Sequence, residues 1–139
     1  AGGTIPLAAG ENIAGLSDFA AALKAGHLGF LQPDLAKWGG PTGFCRVARL
    51  ARGTRTTICP HFLGGGIGLA ASAHALAAVG GEGLLEMDVN PNPLRDAFPA
   101  VVDRVSDGRF VLAAGTGLGI ENLPGEIAPL RTHHRAATA

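Results

Sequence analysis

The feature that most constrains this sequence is an alternation: short apolar runs that end in a polar residue, each followed by apolar residues at helical spacing, recurring about every 25 residues. Thr4 to Ala9 reads as a strand ending at Gly10-Glu11-Asn12, and Ser17 then caps a helix through Phe19, Leu23 and Ala25 to Gly26. Leu28 to Gln32 is the next apolar run, broken by Pro33-Asp34, and Thr42 to Arg52 follows with Phe44, Val47, Ala48 and Leu50 at helical spacing. Thr56 to Cys59 is β-branched and apolar before Pro60-His61, and Ile67 to Val79 is a small-residue helix closed by Gly80-Gly81. Leu84 to Met87 supplies a fourth strand. Parallel strands need crossover helices, so four such units predict a parallel α/β sheet. A barrel of eight units takes about 250 residues, and the 139 residues here hold about half of one.

Beyond the fourth strand the pattern changes. Asp88 to Pro99 is rich in proline and asparagine and is expected to be a structured loop. Asp107-Gly108 is a turn signal between Val101–Val105 and Arg109–Ala113, which predicts a hairpin. From Pro129 onward the hydrophobic period is lost and a flexible tail is expected.

Composition narrows the class of function. Eleven basic residues balance eleven acidic ones, so no overall field favours nucleic acid or an anionic membrane. A small-molecule site is the better expectation. The 22 glycines and 9 prolines punctuate apolar segments without forming a tract, which reads as ordered turns. Cys45 and Cys59 lie within apolar stretches and are expected to be reduced, buried thiols. No apolar run approaches the roughly 20 residues needed to cross a bilayer, and the expected compartment is cytoplasmic. The chain opens on Ala1 and falls almost at once into a strand-like run, from which a natural beginning upstream is expected.

In a parallel α/β barrel the chemistry gathers at the carboxyl ends of the strands. Glu11, Asp34, His61 and Glu86 each stand at or just past one predicted strand. Any one of them alone reads equally well as a helix cap; four in succession weaken that explanation. Magnesium prefers hard oxygen ligands, so Glu11 is a plausible carboxylate ligand, although one carboxylate cannot hold the ion unaided. His61 suits a general base whose tautomer is fixed by a carboxylate, and Asp34 on the neighbouring strand is the natural partner. Glu86, in a confined pocket, suits a protonated donor to a substrate oxygen that becomes negative as a proton leaves carbon. Lys37 points either to solvent or into the pocket, where it would contact substrate. Trp38 reads as a packing residue and His74 as a packed or surface histidine, and His27, His133 and His134 receive no role.

One motif points elsewhere. Gly66-Ile67-Gly68-Leu69-Ala70-Ala71 fits the dinucleotide-binding pattern, follows a predicted strand and opens a helix. That pattern needs the strand to run straight into the first glycine, and here His61 to Gly65 intervene. The same glycines would equally make a helix N-terminus whose free amides face an anionic group.

The series Ala9-Gly10-Glu11-Asn12, Gln32-Pro33-Asp34-Leu35-Ala36-Lys37-Trp38-Gly39-Gly40, Pro60-His61 and Leu85-Glu86 closely resembles the mandelate racemase and muconate lactonising branch of the enolase superfamily. The resemblance runs from Ile5 to Glu121, including the ending Gly117-Leu118-Gly119-Ile120-Glu121. It implies the C-terminal half of a modified TIM barrel of the (β/α)₇β type: four parallel strands with helices over residues 1–98, a hairpin segment over 99–128 and a tail over 129–139. It further implies Glu11 as the last of three magnesium ligands, Asp34 and His61 as a dyad, and Glu86 as the electrophile.

The chemistry implied is abstraction of the proton next to a carboxylate, with elimination, racemisation or cycloisomerisation to follow. Pro60 to Gly66 and Asn90 to Arg95 look most like sugar-acid dehydratases, with racemases, sugar-lactone cycloisomerases and hydroxyproline dehydratases as neighbours. The family's capping domain, its first barrel strands, its second-strand lysine and two of its magnesium-binding carboxylates have no counterpart here. The expectation is therefore a partial enzyme with little activity alone, whose partners are a small sugar-acid carboxylate and either the N-terminal half or further copies of itself. A dinucleotide-binding module and an inactive, self-associating fragment are the alternatives.

Overall fold

The structure is a computed structural model that describes residues 3–133 and 135. Its centre is a three-stranded parallel sheet made of β1 (Ala8–Ala9), β2 (Phe30–Leu31) and β3 (Thr57–Ile58), in that spatial order. Ala8 pairs with Phe30, Ala9 with Leu31, Phe30 with Thr57 and Leu31 with Ile58. The carboxyl ends of the three strands therefore lie side by side, as the alternation predicts.

Helix α1 (Leu16–Ala25) connects β1 to β2, and α2 (Gly40–Ala51) connects β2 to β3. α3 (Gly66–Val79) follows β3. Two boundaries differ from expectation. The cap of α1 is Gly15, and Ser17 lies inside the first turn with no side-chain cap bond; its hydroxyl meets Asp18 instead. The start of α2 moves back from Thr42 to Gly40, because Pro41 is tolerated within a first turn, where its missing N–H costs nothing. α2 turns Phe44, Val47, Ala48 and Ala51 inward at helical spacing.

The fourth predicted strand, Leu84–Met87, does not join the sheet as a ladder. It runs beside β3, but the Leu84 amide donates to the Cys59 thiol sulfur instead of a backbone carbonyl, at 3.3 Å. Among the described residues the parallel sheet thus has three strands, not four. Cys45 and Cys59 are both free thiols, Cys59 buried and Cys45 half-buried.

The loop after residue 87 contains two short helices, α4 (Pro93–Asp96) and α5 (Pro99–Val102). Asn92 caps α4 by accepting from the Leu94 amide, and Asp96 accepts from the Asn92 amide in return. The hairpin is present as β4 (Val105–Ser106) against β5 (Arg109–Phe110). Asp107 and Gly108 both have positive φ, as a tight two-residue turn requires. Its first arm is shorter than predicted because Val101 belongs to α5. The predicted tail begins within a 3-10 turn at Gly125–Leu130, and residues 134 and 136–139, including His134, lie outside the described residues. No described helix is long and apolar enough to cross a membrane.

Three apolar clusters tie the layers together. Phe19, Leu31 and Val47 pack between α1, α2 and the sheet, with Trp38 against the Phe19 ring at a centroid distance of 5.5 Å. Leu35, Phe44 and Ala75 join α2 to α3. Phe62, Leu69, Ala70, Phe98 and Val101 join α3 to α5, and Leu85, Met87, Phe110 and Ile127 pack against them.

Phe19 is fully buried and Val89 is 91% exposed. Phe19→Ala should therefore lower unfolding free energy by about 3–5 kcal/mol, whereas Val89→Ala should stay within about 0.5 kcal/mol. Urea denaturation of the two variants checks the contrast, and equal losses would contradict this core.

Candidate active site

Each rim residue leaves its strand in a defined way. Gly10 follows β1 at φ 141°, and a Cβ there would stand 2.8 Å from the Gln32 amide nitrogen. Only glycine lets the chain press this closely on β2 before turning Glu11 onto the rim. Asp34 comes three residues after Leu31 and His61 three residues after Ile58, and Leu31 and Ile58 are paired in the ladder. Both exits pass through proline, Pro33 and Pro60, which holds the preceding residue extended. Equal steps from paired residues bring Asp34 and His61 to the same height, and the His61 amide donates to the Pro33 carbonyl at 3.2 Å.

Asp34 is buried and fully engaged. Its Oδ1 accepts from the Ala36 and Lys37 amides at 2.8 and 3.1 Å. Its Oδ2 lies 2.9 Å from His61 Nδ1. With Oδ1 fixed by two amides, Oδ2 receives the ring N–H, so the imidazole orientation is set from below. His61 Nε2 then faces the rim, 2.6 Å from Glu11 Oε2 and 4.0 Å from Glu86 Oε2. The Nε2–Oε2 separation is within hydrogen-bonding distance, so the rim face of the imidazole is met by the Glu11 carboxyl. Glu86 Oε2 also accepts from the Phe62 amide at 3.0 Å. Lys37 Nζ stands 3.8 Å from Glu11 Oε2 and 3.3 Å from Asn12 Oδ1. The structure thus brings together all five residues singled out from the sequence: Glu11, Asp34, Lys37, His61 and Glu86.

Two polar residues were not singled out. Asn12 donates to Glu11 Oε1 at 3.2 Å and receives Lys37, tying that lysine to the rim. Arg95, only 7% exposed, grips the loop that follows Glu86. The nearest sequence signal was the Asp88-x-Asn90 pair, which favours a local side-chain-to-backbone turn. In the structure Asp88 accepts from the Asn90 amide, which, with the Asn90 side chain and Arg95 nearby, holds its carboxyl below the usual carboxylate range.

The residues present do not form a complete magnesium site. Among the described residues no group of three His, Cys, Asp or Glu side chains is arranged to hold a metal ion. Glu11 Oε2 is engaged by His61. The glycines of the dinucleotide-like motif serve packing: a Cβ on Gly66 would strike the Phe98 side chain, and one on Gly68 the Phe62 ring. Seven residues separate the end of β3 at Ile58 from Gly66, so no strand feeds the first glycine directly.

The Asp34 acceptor role has a measurable cost. Asp34→Ala would take the charged acceptor from the Ala36 and Lys37 amides and release the ring, lowering stability by about 1–3 kcal/mol. Asp34→Asn keeps an oxygen for those amides and should lose less. Nitrogen-15 NMR of the His61 ring should show a proton on Nδ1 in the parent chain and a changed Nδ1 signal in both variants. A Nδ1 resonance indifferent to Asp34 would contradict the pairing.

Known proteins share both the sequence and the fold of this chain. A family profile described as Enolase C-terminal domain-like matches residues 1–124. The chain is 35% identical over 129 residues to a D-galactarolactone cycloisomerase of Agrobacterium fabrum (strain C58 / ATCC 33970), covering 87% of this chain and 34% of that protein. A crystal structure of a mandelate racemase/muconate lactonizing enzyme from Bordetella bronchiseptica RB50 superposes with a TM-score of 0.79 at 50% identity, covering 85% of this chain and 33% of that one. The chain therefore spans about a third of the length of these relatives. A parallel sheet with His61, Asp34, Glu11 and Glu86 on one rim, together with these matches, makes the chain a member of the enolase superfamily, in its mandelate racemase/muconate lactonizing branch.

Proposed function

We propose that this chain carries the base-bearing part of an active site that removes the proton next to the carboxylate of a sugar acid. The observation that supports it is the His61 ring, held through Nδ1 by buried Asp34 with Nε2 turned to the rim. In this reading His61 Nε2 takes the proton from carbon, and Asp34 keeps the ring aligned while it carries that proton. Glu86, protonated, donates to the oxygen on which negative charge develops. The proton on Nε2 then passes to the hydroxyl of the adjacent carbon, which leaves as water while the enolate electrons form the carbon–carbon double bond, completing a dehydration. Lys37, tied to Glu11 and Asn12, contacts the substrate's acidic end.

Magnesium belongs to the same proposal, with Glu11 supplying one oxygen and the remaining ligands coming from residues outside this chain. Among the described residues the outer edge of β1 is unpaired, and Ile5 and Leu7 beside it are 80% and 59% exposed. That edge suits further strands of a barrel, so the partner in this reading is a polypeptide carrying the rest of one. The chain by itself is then a weak catalyst.

A second reading has one observation in its favour. The relative named a D-galactarolactone cycloisomerase suggests that the same proton removal opens or rearranges a sugar lactone instead of expelling water.

The test supplies the missing part as a separate chain, taken from the Bordetella relative, and follows turnover of sugar acids and sugar lactones with magnesium present. Complementation should restore activity, and His61→Asn should lower it by about 10²–10⁴-fold. Glu86→Gln, which keeps a donor, should do less harm than Glu86→Ala. Full activity in His61→Asn would remove this histidine as the base.

A further inference from the structure

The segment that carries Glu86 lacks a ladder among the described residues, yet Glu86 is set against the Phe62 amide at 3.0 Å. Something other than sheet pairing holds it. Its lower end is tied through Leu84 to Cys59, and Leu85 and Met87 pack against the cluster of Phe62, Leu69 and Phe98. Its upper end passes directly to Asp88, and there the chain meets Arg95.

Arg95 uses its whole fork. One terminal nitrogen donates to the Asp88 carbonyl and lies 3.7 Å from Asp88 Oδ2. The other donates to the Asn90 carbonyl at 2.7 Å and to Asp96 Oδ1 at 2.9 Å. Nε also donates to Asp96 Oδ1, at 3.2 Å. Asp96 Oδ2 in turn accepts from the Asn92 amide, so the carboxylate aims the guanidinium and closes the loop. This arrangement uses four N–H donors held in one plane, which lysine lacks.

The geometry points to Arg95 as a positioning residue for Glu86: by holding the carbonyls of Asp88 and Asn90 it fixes the end of the segment on which Glu86 stands and keeps its carboxyl over the Phe62 amide. This rests on the proposed role of Glu86 for its catalytic meaning, but not for its test. Arg95 also stands on α4, whose Leu94 lies so close to Gly65 that a Cβ there would sit 3.0 Å from the Leu94 carbonyl oxygen. The fork therefore ties the Glu86 segment to the loop leading out of His61.

Amide hydrogen exchange, read residue by residue by NMR on the chain as it stands, tests the inference without any substrate. Arg95→Met keeps the bulk of the stem and removes the fork. It should speed exchange at Phe62 by about tenfold or more and move the Glu86 carboxyl carbon resonance. The Gln32 and Cys59 amides, which donate to Ala9 and Leu31, should keep their rates. Arg95→Lys should restore only part of the protection. An unchanged Phe62 amide in Arg95→Met would overturn the inference, and so would an equal rise at Phe62, Gln32 and Cys59, which would mean general support of the fold. Should Arg95→Met fail to fold, Asp96→Asn, which removes the charge that aims the guanidinium, reads the same amides: selective loss at Phe62 supports the inference and no change overturns it. Failure of the Glu86 role would appear separately, as equal activity of Glu86→Gln and Glu86→Ala in the complemented enzyme.

Discussion

Everything on the rim takes its direction from one hydrogen bond, that between the Asp34 carboxylate and His61 Nδ1. An imidazole can rotate about two side-chain bonds, and left alone it would not present the same nitrogen to the same place. Asp34 removes that freedom because it has none itself: two backbone amides of the following turn hold its other oxygen. The rigidity of a backbone turn is passed through a carboxylate to a ring. Such a buried network is strong only when every member is satisfied, and in this one both carboxylate oxygens and both ring nitrogens have partners.

The packing beneath is arranged to leave that rim undisturbed. Phe19, Leu31 and Val47 anchor α1 and α2 against the strands, and Leu35 and Phe44 carry the contact on to α3. Trp38, which begins only four residues after Asp34, turns its ring back onto Phe19 and so pins the turn whose amides hold the aspartate. Apolar burial at one end of the sheet and polar precision at the other are thus joined through a single short connection. Helices cover the sheet, whereas β1, an edge strand among the described residues, is exposed.

Much of this was legible in the sequence because the governing patterns are local. A helix announces itself by apolar residues three and four apart, and a tight hairpin by Asp107-Gly108, whose backbone angles few other pairs adopt. The ends of the strands were marked by polar residues next to Gly10, Pro33 and Pro60. Ser17 misled because a hydroxyl before an apolar run is a cap only if the backbone there turns, and here Gly15 makes the turn. Leu84–Met87 misled for another reason: its composition suits a strand, but a ladder depends on what lies alongside, and its first amide goes to a cysteine side chain. Arg95 was passed over because a charged residue in a polar loop reads as solvated. Its burial arises from contacts with Asp88, Asn90 and Asp96 that fold back on it in three dimensions.

Surface connections are ordinarily the part of a protein where length is cheapest to change. The exits from β2 and β3 are exceptions, for their three-residue steps start from ladder partners and end on two atoms 2.9 Å apart. Add one residue to either step and the side chain at its end moves by a few ångströms, roughly the rise of one extended residue, and turns toward the opposite face. The two loops therefore share one length, and a change in one could be tolerated only with a matching change in the other. These two brief connections act as a ruler.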